Sequence, residues 1–418
     1  MIIKKIHARQ VIDSNGYPTV ECDAATDAGI FRAMVPSGAS TGRHEAVELR
    51  DGGNAFFGKG VLKAISNVNK IIAPKLIGRN CLEQEKLDRI MIELDGTENK
   101  SKLGANAILS VSAACCKAGA ASLIVPLYKY IGKLAGNKEF VLPIPMMVFL
   151  EGGKHADHST DLQEFMIMPV GANSFSQAVQ YCVEVYHALK ESLKSKGMNT
   201  SVGYEGAFSP RIGNEEAFEL LINAIEDAGY KPKSEIGIAL DAAASELCKD
   251  GKYYFASEKR QLNSGEMIDF YDYLIEKYPI VSIEDGLGED DWEAWIELNK
   301  RIGKKVQIIG DDLTVTNPQR LERAIKLGAI NSILIKLNQI GSVTETANVI
   351  KMAKEKKLKV IVSHRSGETE DTFVADFAVG VGADQCKFGA PTRSERTAKY
   401  NQLLRIEEEI KSYKGFYD

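Results

Sequence analysis

The chain has 418 residues, of which 44% are hydrophobic and 26% are charged, a composition typical of globular proteins large enough for two domains. Its net charge of −5, its pI near 5.9 and the lack of a basic block argue against a nucleic-acid-binding surface. The seven cysteines form no CxxC pair, and no run of about 18 apolar residues is present for a membrane span, so we expect a cytoplasmic protein that does not contact a membrane.

The first part of the chain predicts an antiparallel meander followed by helices. Residues 1–36 hold three β-rich runs, joined by turns at Asn15-Gly16 and at residues 27–29. Helical periodicity follows at about 59–77, 83–93 and 104–121, before an irregular connection at 122–142. We therefore expect an N-terminal α+β domain over residues 1–130 and a catalytic domain over residues 140–418.

In the second part of the chain, buried strands alternate with helices. Five apolar runs occur in order, namely EIGIALD, PIVSIED, VQIIGDD, NSILIKL and KVIVSHRS. Their continuous β-branched character is typical of strands covered on both faces, and about 25 residues suffice for a strand, a loop and a return helix. Asn214, Asn317-Pro318 and Ser342 are predicted helix N-caps. The alternation predicts a (β/α)8 barrel of the TIM type.

Each of these runs ends in polar residues, which are Asp241, Glu284, Asp311, Lys336, and His364 with Arg365. The carboxyl ends of parallel barrel strands meet at one rim, so we expect these side chains to surround one cavity. A single acid at such a position more often caps a helix. A charge inside an apolar run is unfavourable unless it is paired or bound to metal, so five in succession favour a functional site over an ion-pair network.

Three of the strand-end residues are carboxylates, and no cysteine is near them. This donor set suits a hard cation, and Mg²⁺ is the expected one. Asp285 and Asp312 adjoin two of the acids, but neighbours on a strand point to opposite faces, so we assign only one of each pair to the metal. A lysine beside the bound cation would have a lowered pKa, which would make Lys336 a base for a proton next to a carboxylate.

Eight segments spread along the chain carry a resemblance to the enolase family. They are SGASTG (37–42), LQEFMI (162–167), SIED (282–285), DDLTVTNP (311–318), LIKLNQIG (334–341), SHRSGETEDT (363–372), RSER (393–396) and NQLLRIEEE (401–409). The resemblance extends from residue 2 to residue 415 and preserves the order of the motifs. A lysine base with Mg²⁺ is a known feature of this superfamily.

The resemblance implies both a fold and a reaction. The fold is a small N-terminal α+β domain packed on an eight-stranded β/α barrel with an antiparallel start. The reaction is the reversible dehydration of 2-phosphoglycerate to phosphoenolpyruvate, with two Mg²⁺ ions per active site and a place in glycolysis. The partners implied are a small phosphorylated anion as substrate and a second copy of the chain, in a homodimer or a higher homo-oligomer.

The resemblance also implies a role for each matching residue. Asp241, Glu284 and Asp311 would bind the first Mg²⁺, and Ser40 would complete the second site from a lid loop with Gly38 and Gly42 as hinges. Lys336 would remove the α proton, and Glu205 would protonate the leaving β-hydroxyl. Glu164 is its paired carboxylate, one of the two holding the proton, and His155 is a loop histidine near the substrate. The remaining residues would contact the substrate: Arg365 and Ser366 at its phosphate, Lys387 at its carboxylate, and His364 and Gln163 in the pocket wall.

Some positions depart from the family pattern. Val148 and Glu151 replace asparagines, Tyr204 an acid, Ala207 a glycine, Gly286 a proline and Phe388 a threonine. Asn15 and Tyr17 stand where the family has arginine and asparagine, and that arginine position belongs to the family's dimer contact. Two alternatives therefore stay open. One is an enolase-like lyase that acts on a related phosphonate or phosphorylated hydroxy acid, and the other is a non-catalytic scaffold that keeps the fold.

Overall fold

The computed structural model describes residues 1–39, 42–157 and 159–416. The chain begins with a three-stranded antiparallel sheet, β1 (Lys5–Ile12), β2 (Pro18–Thr26) and β3 (Gly29–Met34), paired in that order. The Asp13 carboxylate accepts the backbone N–H groups of Asn15 and Tyr17, both at 2.9 Å, and so closes the first turn. The predicted meander is confirmed.

Five helices complete the N-terminal part. They are α1 (Leu62–Asn67), which continues through a π-helical turn into α2 (Ala73–Leu76), then α3 (Gln84–Asp95), α4 (Ala105–Ser122) and α5 (Leu127–Ala135). Helix α4 is almost wholly buried, because its alanine, serine and cysteine side chains let it pack closely against the sheet. Among the described residues no single helix is long and apolar enough to cross a membrane; α4 and α5 pass that test only together, and a bend of 108° separates them.

The strands of the second part follow in chain order. They are β4 (Ile144–Glu151), β5 (Glu164–Met168), β6 (Gly237–Asp241), the short β7 (Cys248–Lys249), β8 (Lys252–Phe255) and β9 (Arg260–Leu262), and then β10 (Ile280–Glu284), β11 (Gln307–Gly310), β12 (Ser332–Ile335), β13 (Lys359–Ser363) and β14 (Gln385–Lys387). Strands β7 to β9 form a small antiparallel sheet. The other eight close into a barrel in which β5 is antiparallel to β4 and β6 and all other pairs are parallel. The predicted barrel with an antiparallel start is confirmed.

Helices surround the barrel. They are α6 (Phe175–Ser195), α7 (Asn214–Asp227), α8 (Ala244–Leu247), α9 (Ser264–Lys277), α10 (Trp292–Ile302), α11 (Pro318–Leu327), α12 (Leu337–Ile340), α13 (Val343–Glu355), α14 (Phe373–Gly380) and α15 (Ser394–Ile410). Asn317 and Ser342 cap α11 and α13 through their side chains, as predicted. The predicted cap at Asn214 is wrong. Gly213 is the N-cap of α7, and the Asn214 side chain instead accepts the N–H groups of Asp161 and Leu162, because a tertiary contact satisfies it better than the helix end.

The N-terminal part covers the carboxyl end of the barrel. Ser37 and Gly367 exchange two backbone hydrogen bonds, of 2.7 and 2.8 Å, and the N–H of Ala39 donates to Ser366 Oγ at 2.7 Å. Further along, the N–H of Ala46 donates to the carbonyl of Gln339 at 2.9 Å. The loop that was predicted as a lid therefore contacts the barrel on both sides of Ser40 and Thr41.

Candidate active site

All of the predicted strand-end residues except Glu284 line one cavity, and Glu284 contacts Lys387, which lines it. Asp241 and Glu284 are the last residues of β6 and β10, and Asp311, Lys336 and His364 directly follow β11, β12 and β13. The cavity is lined by His155, Gln163, Glu164, Glu205, Asp241, Ala243, Asp285, Asp311, Asp312, Lys336, Ser363, His364, Arg365, Ser366 and Lys387.

Lys387 lies at the centre of three buried carboxylates. Its Nζ is 3.0 Å from Glu164 Oε2, 3.0 Å from Asp241 Oδ2 and 2.9 Å from Glu284 Oε2. Burial, together with the charge of Asp241, raises the pKa of Glu284 well above its ordinary value. The three acids supply only oxygen donors, the type that a hard divalent cation takes, and in this structure Lys387 provides the positive charge between them. Sequence reasoning expected Lys387 to face the substrate, whereas here it pairs with the acids.

Asp311 contacts a different cation. Its Oδ2 pairs with Lys336 Nζ, and its Oδ1 accepts from Gln339 Nε2 at 2.8 Å. Burial acts to lower the pKa of Lys336, but the Asp311 carboxylate outweighs it and the net pKa is raised. This direction is the reverse of the one expected beside a bound cation. It follows from the charge of Asp311, which a metal bound to that carboxylate would offset.

Asp285 and Asp312, the acids next to Glu284 and Asp311, differ in their roles. Asp285 accepts the backbone N–H of Asp311 at 3.0 Å and that of Asp312 at 2.9 Å, so it fixes the turn after β11. Carboxylate oxygens of Asp285, Asp311 and Asp312 lie within 4.8 Å of one another. Burial, and then the charge of Asp311, raises the pKa of Asp312 to about 8. Asp285 therefore holds the backbone that carries Asp311, while Asp312 adds a second carboxyl group to the cavity wall.

A histidine joins the predicted pair of glutamates at the opposite side of the cavity. His155 Nδ1 is 3.3 Å from Glu164 Oε1 and 3.8 Å from Glu205 Oε1. Burial acts to lower the pKa of His155, but both carboxylates outweigh it and raise the pKa to about 9. The pKa of Glu164 and that of Glu205 are both lowered, because neighbouring cations outweigh the effect of burial. These directions make His155 the more basic member of the group, and the expectation that one of the two glutamates holds a proton stays a prediction.

Arg396 determines which nitrogen of His364 carries a proton. Arg396 Nη1 lies 2.7 Å from His364 Nδ1, and because a guanidinium only donates, Nδ1 must accept. Neutral His364 then carries its proton on Nε2, which is 2.8 Å from Glu205 Oε2. Burial, the largest influence, lowers the pKa of His364 and favours this neutral form. The chain Arg396–His364–Glu205 orients the Glu205 carboxylate.

The predicted phosphate-binding residues already contact the lid segment, which comprises residues 37–39 and 42–45. Arg365 Nη1 is 2.9 Å from Glu45 Oε2 and 3.0 Å from Asn338 Oδ1, and Ser366 Oγ accepts the N–H of Ala39. Burial acts to lower the pKa of Arg365, but Glu45 outweighs it, and the pKa is raised. Arg365 is thus held fully charged at the cavity wall, in contact with a carboxylate from the N-terminal part.

Gly38 is a point of close approach, since a Cβ there would lie 2.0 Å from Arg365 Nη2. Gly38→Ala must therefore displace the guanidinium or the lid segment. We expect the variant to raise KM about tenfold, as expected when one charge-assisted contact of about 1.5 kcal/mol is lost. Steady-state kinetics with the phosphorylated substrate measures this. Gly213→Ala is the matched control, because nothing lies within 4 Å of its Cβ position; equal KM values for the two variants would contradict the prediction.

The departures from the family pattern lie behind the cavity or beside it. Of the described residues that line the cavity, none is Glu151, Tyr204, Ala207 or Phe388. Glu151, Ala207 and Phe388 are buried in the surrounding core. Tyr204 is 43% exposed and lines a separate pocket together with Ser37, Gly38 and Ala39. The four changes therefore alter the support of the site rather than its inner surface.

Several predicted residues need separate comment. Gln163 lines the cavity, and its buried Oε1 has no hydrogen-bond partner among the described residues. Ser40 lies outside the described residues, so its predicted role stays a prediction. Sequence reasoning missed the roles of Glu45 and Arg396. The RSER motif contains Arg396, but nothing in its spacing indicated a contact with His364.

Comparison with protein-family models gives two matches. Residues 3–131 match the model described as "Enolase, N-terminal domain", and residues 139–417 match the model described as "Enolase, C-terminal TIM barrel domain". The two matches are consecutive and together cover nearly the whole chain. The motifs at the strand ends all fall within the second match.

Proposed function

The chain belongs to the enolase family, and from this premise we propose that it is a Mg²⁺-dependent lyase that dehydrates 2-phosphoglycerate to phosphoenolpyruvate. The observation that carries the proposal is the single cavity in which an amine, several carboxylates, two histidines and a guanidinium meet. The reaction breaks a Cα–H bond and a Cβ–O bond, forms the double bond between these carbons and releases water. It needs a base, an acid and a site for two anionic groups.

Lys336 is the proposed base. It is partly buried at the cavity wall, and its Nζ pairs with the Asp311 carboxylate. For proton abstraction the amine must be neutral, which a second cation on the acids favours. Asp241, Glu284 and Asp311 would hold Mg²⁺ beside it. When bound, the ion would stabilise the negative charge that develops on the substrate carboxylate.

Glu205 and His155 are the proposed acid side of the reaction. Hydroxide is a poor leaving group, so a proton must reach the β-oxygen as the Cβ–O bond breaks. His155 carries that proton, and Glu205 Oε1 lies 3.8 Å from its Nδ1. Glu205 is also oriented by His364 at 2.8 Å, so the pair can pass a proton toward one fixed point in the cavity.

The location of the departures favours an unchanged substrate. A phosphonate or another phosphorylated hydroxy acid would need altered groups at the inner surface, and the four changed side chains do not line it. Arg365 offers forked donors to a phosphate, and Gln163 offers a polar group without a partner among the described residues. The scaffold alternative has no support from the cavity, whose lining retains the base and the acids.

We extend the proposal to two Mg²⁺ ions per site, with Ser40 at the second, to a cytoplasmic location and to a homodimer or higher homo-oligomer. Light scattering of the purified chain tests the oligomer. A single scattering mass near 45.8 kDa would contradict it, since that is the mass of one chain.

The activity is tested directly by mixing the purified chain with 2-phosphoglycerate and MgCl₂ and following the ultraviolet absorbance of the enol product. We expect absorbance to develop in proportion to enzyme, to stop on addition of a chelator and to return with excess Mg²⁺. No absorbance at any Mg²⁺ concentration would contradict the proposal. In that case α-proton exchange of phosphonate and hydroxy-acid analogues in D₂O tests the alternative substrates.

A further inference from the structure

We propose that Glu151 is a positioning residue that holds the catalytic Glu205 in place by binding the backbone on both sides of it. Glu151 is the last residue of β4 and has no exposed surface. Its Oε1 accepts the N–H of Glu205 at 2.9 Å and the N–H of Ala207 at 2.8 Å. This inference rests on the proposed function of Glu205, but the hydrogen bonds themselves do not.

The carbonyl groups of the loop that carries Glu205 are held by other elements: the N–H of Ala390 donates to the carbonyl of Glu205 at 3.0 Å, and the hydroxyl of Tyr186 donates to that of Gly206 at 2.8 Å. The N–H of Gly203 donates to the carbonyl of Ala207 at 2.9 Å, and Gly206 has a φ of +88°, so the segment forms a tight turn. The Glu151 carboxylate binds inside this turn. With His364 on the carboxylate and Glu151 on the backbone, both ends of Glu205 are restrained.

Gly203 makes room for the second carboxylate oxygen. A Cβ at this position would lie 2.3 Å from Glu151 Oε2 and 2.8 Å from the carbonyl oxygen of His155. Oε2 is buried and has no hydrogen-bond partner among the described residues. An unpartnered carboxylate oxygen is unfavourable inside a protein unless the group is protonated. The site therefore favours a neutral Glu151, which still accepts both N–H groups through Oε1.

The charged groups around Glu151 support this neutral form. Burial is the largest influence, followed by the charge of Glu205, while His155 acts in the opposite direction and Glu164 reinforces the shift; the pKa of Glu151 is raised to about 8. The phenol of Tyr186, on α6, faces the same region. Ionisation of Glu151 at higher pH would place a further negative charge next to Glu205.

The first test compares two substitutions at one position. Glu151→Leu removes the oxygen that accepts both N–H groups, and we expect kcat to fall about 100-fold, as for an Å-scale misplacement of a catalytic group. KM should be nearly unchanged, because residue 151 does not line the cavity. Glu151→Gln keeps an acceptor oxygen and should recover most of that loss. We expect wild-type activity to decline above pH 8 as Glu151 ionises, and Glu151→Gln should remain active there. Equal kcat values for Glu151→Leu and the wild type would overturn the proposal, as would identical pH profiles for Glu151→Gln and the wild type.

Two further variants separate positioning from folding. Gly203→Ala should reproduce the kcat loss of Glu151→Leu by pushing the carboxylate aside, whereas Gly213→Ala, with open space at its Cβ, should not. Asp88→Asn removes another buried carboxyl group, in α3, which bonds to Gln84 and Thr344 far from the cavity. We expect it to change stability but not the pH profile. A shifted profile in Asp88→Asn would overturn the proposal.

Hydrogen exchange gives a readout that needs no activity. The Glu205 and Ala207 amides should be protected in the wild type and in Glu151→Gln and should exchange quickly in Glu151→Leu. Unchanged protection in the leucine variant would overturn the proposal even in an active enzyme. One further outcome is a wild type that fails to turn over 2-phosphoglycerate while the amides of Glu205 and Ala207 still lose protection only in Glu151→Leu. That result would contradict the proposed function and support the role of Glu151 in holding the backbone.

Thermal unfolding adds a pH signature with a defined sign. Because the folded-state pKa of Glu151, about 8, exceeds its ordinary value of 4.5, the folded state binds more protons between these pH values. The wild type should therefore lose stability as pH rises from 4.5 to 8, and Glu151→Gln should lose less over the same window. Equal slopes of Tm against pH for the two proteins would overturn the neutral form of Glu151.

Discussion

Lys336→Ala is expected to lower kcat about 10³-fold, within the range for removal of a general base. The lysine is the residue directly after β12, and its amine lies against Asp311 at the wall of the cavity. Alanine leaves the strand, the acids and the turn unchanged, because Asp311 retains its hydrogen bond from Gln339. Loss of the amine therefore removes proton abstraction without removing the metal ligands.

Two measurements check this result. Product absorbance reports the whole reaction, and exchange of the substrate α proton in D₂O reports abstraction alone. Lys326→Ala is the matched control, because Lys326 is an exposed lysine near the end of α11. Exchange at the wild-type rate in Lys336→Ala would show that another group is the base. Mg²⁺ binding measured by calorimetry should persist in the variant.

Arg396→Met is expected to destabilise the fold by about 3 kcal/mol or more, since several buried acceptors lose a charged donor at once. Arg396 has no exposed surface. Its guanidinium donates to His364 Nδ1 and to the carbonyl of Arg365, both at 2.7 Å, and to the carbonyls of Ser366 at 2.6 Å and Tyr204 at 3.0 Å. Methionine fills similar volume but satisfies none of these groups.

The same substitution should also reduce turnover, because His364 can then carry its proton on either nitrogen and no longer reliably donates to Glu205. Urea unfolding measures the stability change, and kinetics below the transition measure turnover. Arg405→Met is the matched control, because Arg405 is exposed on the same helix and its guanidinium donates to Gln402 Oε1 at 3.4 Å. If both variants unfold at the same urea concentration, the buried network contributes nothing to stability.

The sequence predicted the elements that depend on residues close to one another along the chain. Strands β6, β10, β11, β12 and β13 were predicted because covered strands need continuous apolar residues, and the polar residue at each end then follows from the barrel geometry. Residues that depend on distant partners could not be predicted in this way. Glu45 and Arg365 are 320 positions apart, and Asn214 serves a loop rather than its own helix.

The sequence also could not predict the directions in which pKa values shift at the site, or which way the Glu151 carboxylate points. The pattern indicated that Glu164 and Glu205 form a pair, but not that both would lie beside His155 and raise its pKa. It marked Glu151 as unusual without showing whether its carboxylate faces the cavity or the backbone. Both questions depend on side-chain rotation and burial, which spacing along a chain does not determine.

The pairing of Glu45 with Arg365 has a consequence for discrimination among ligands. The Glu45 carboxylate already pairs with the Arg365 guanidinium, so an incoming anion must displace a carboxylate of the same chain rather than water. A dianionic phosphate carries the greater charge and can win this exchange, whereas a monoanionic carboxylic acid gains little by it. We therefore expect Glu45 to favour ligands that carry more negative charge than a single carboxylate, because only these displace it from Arg365.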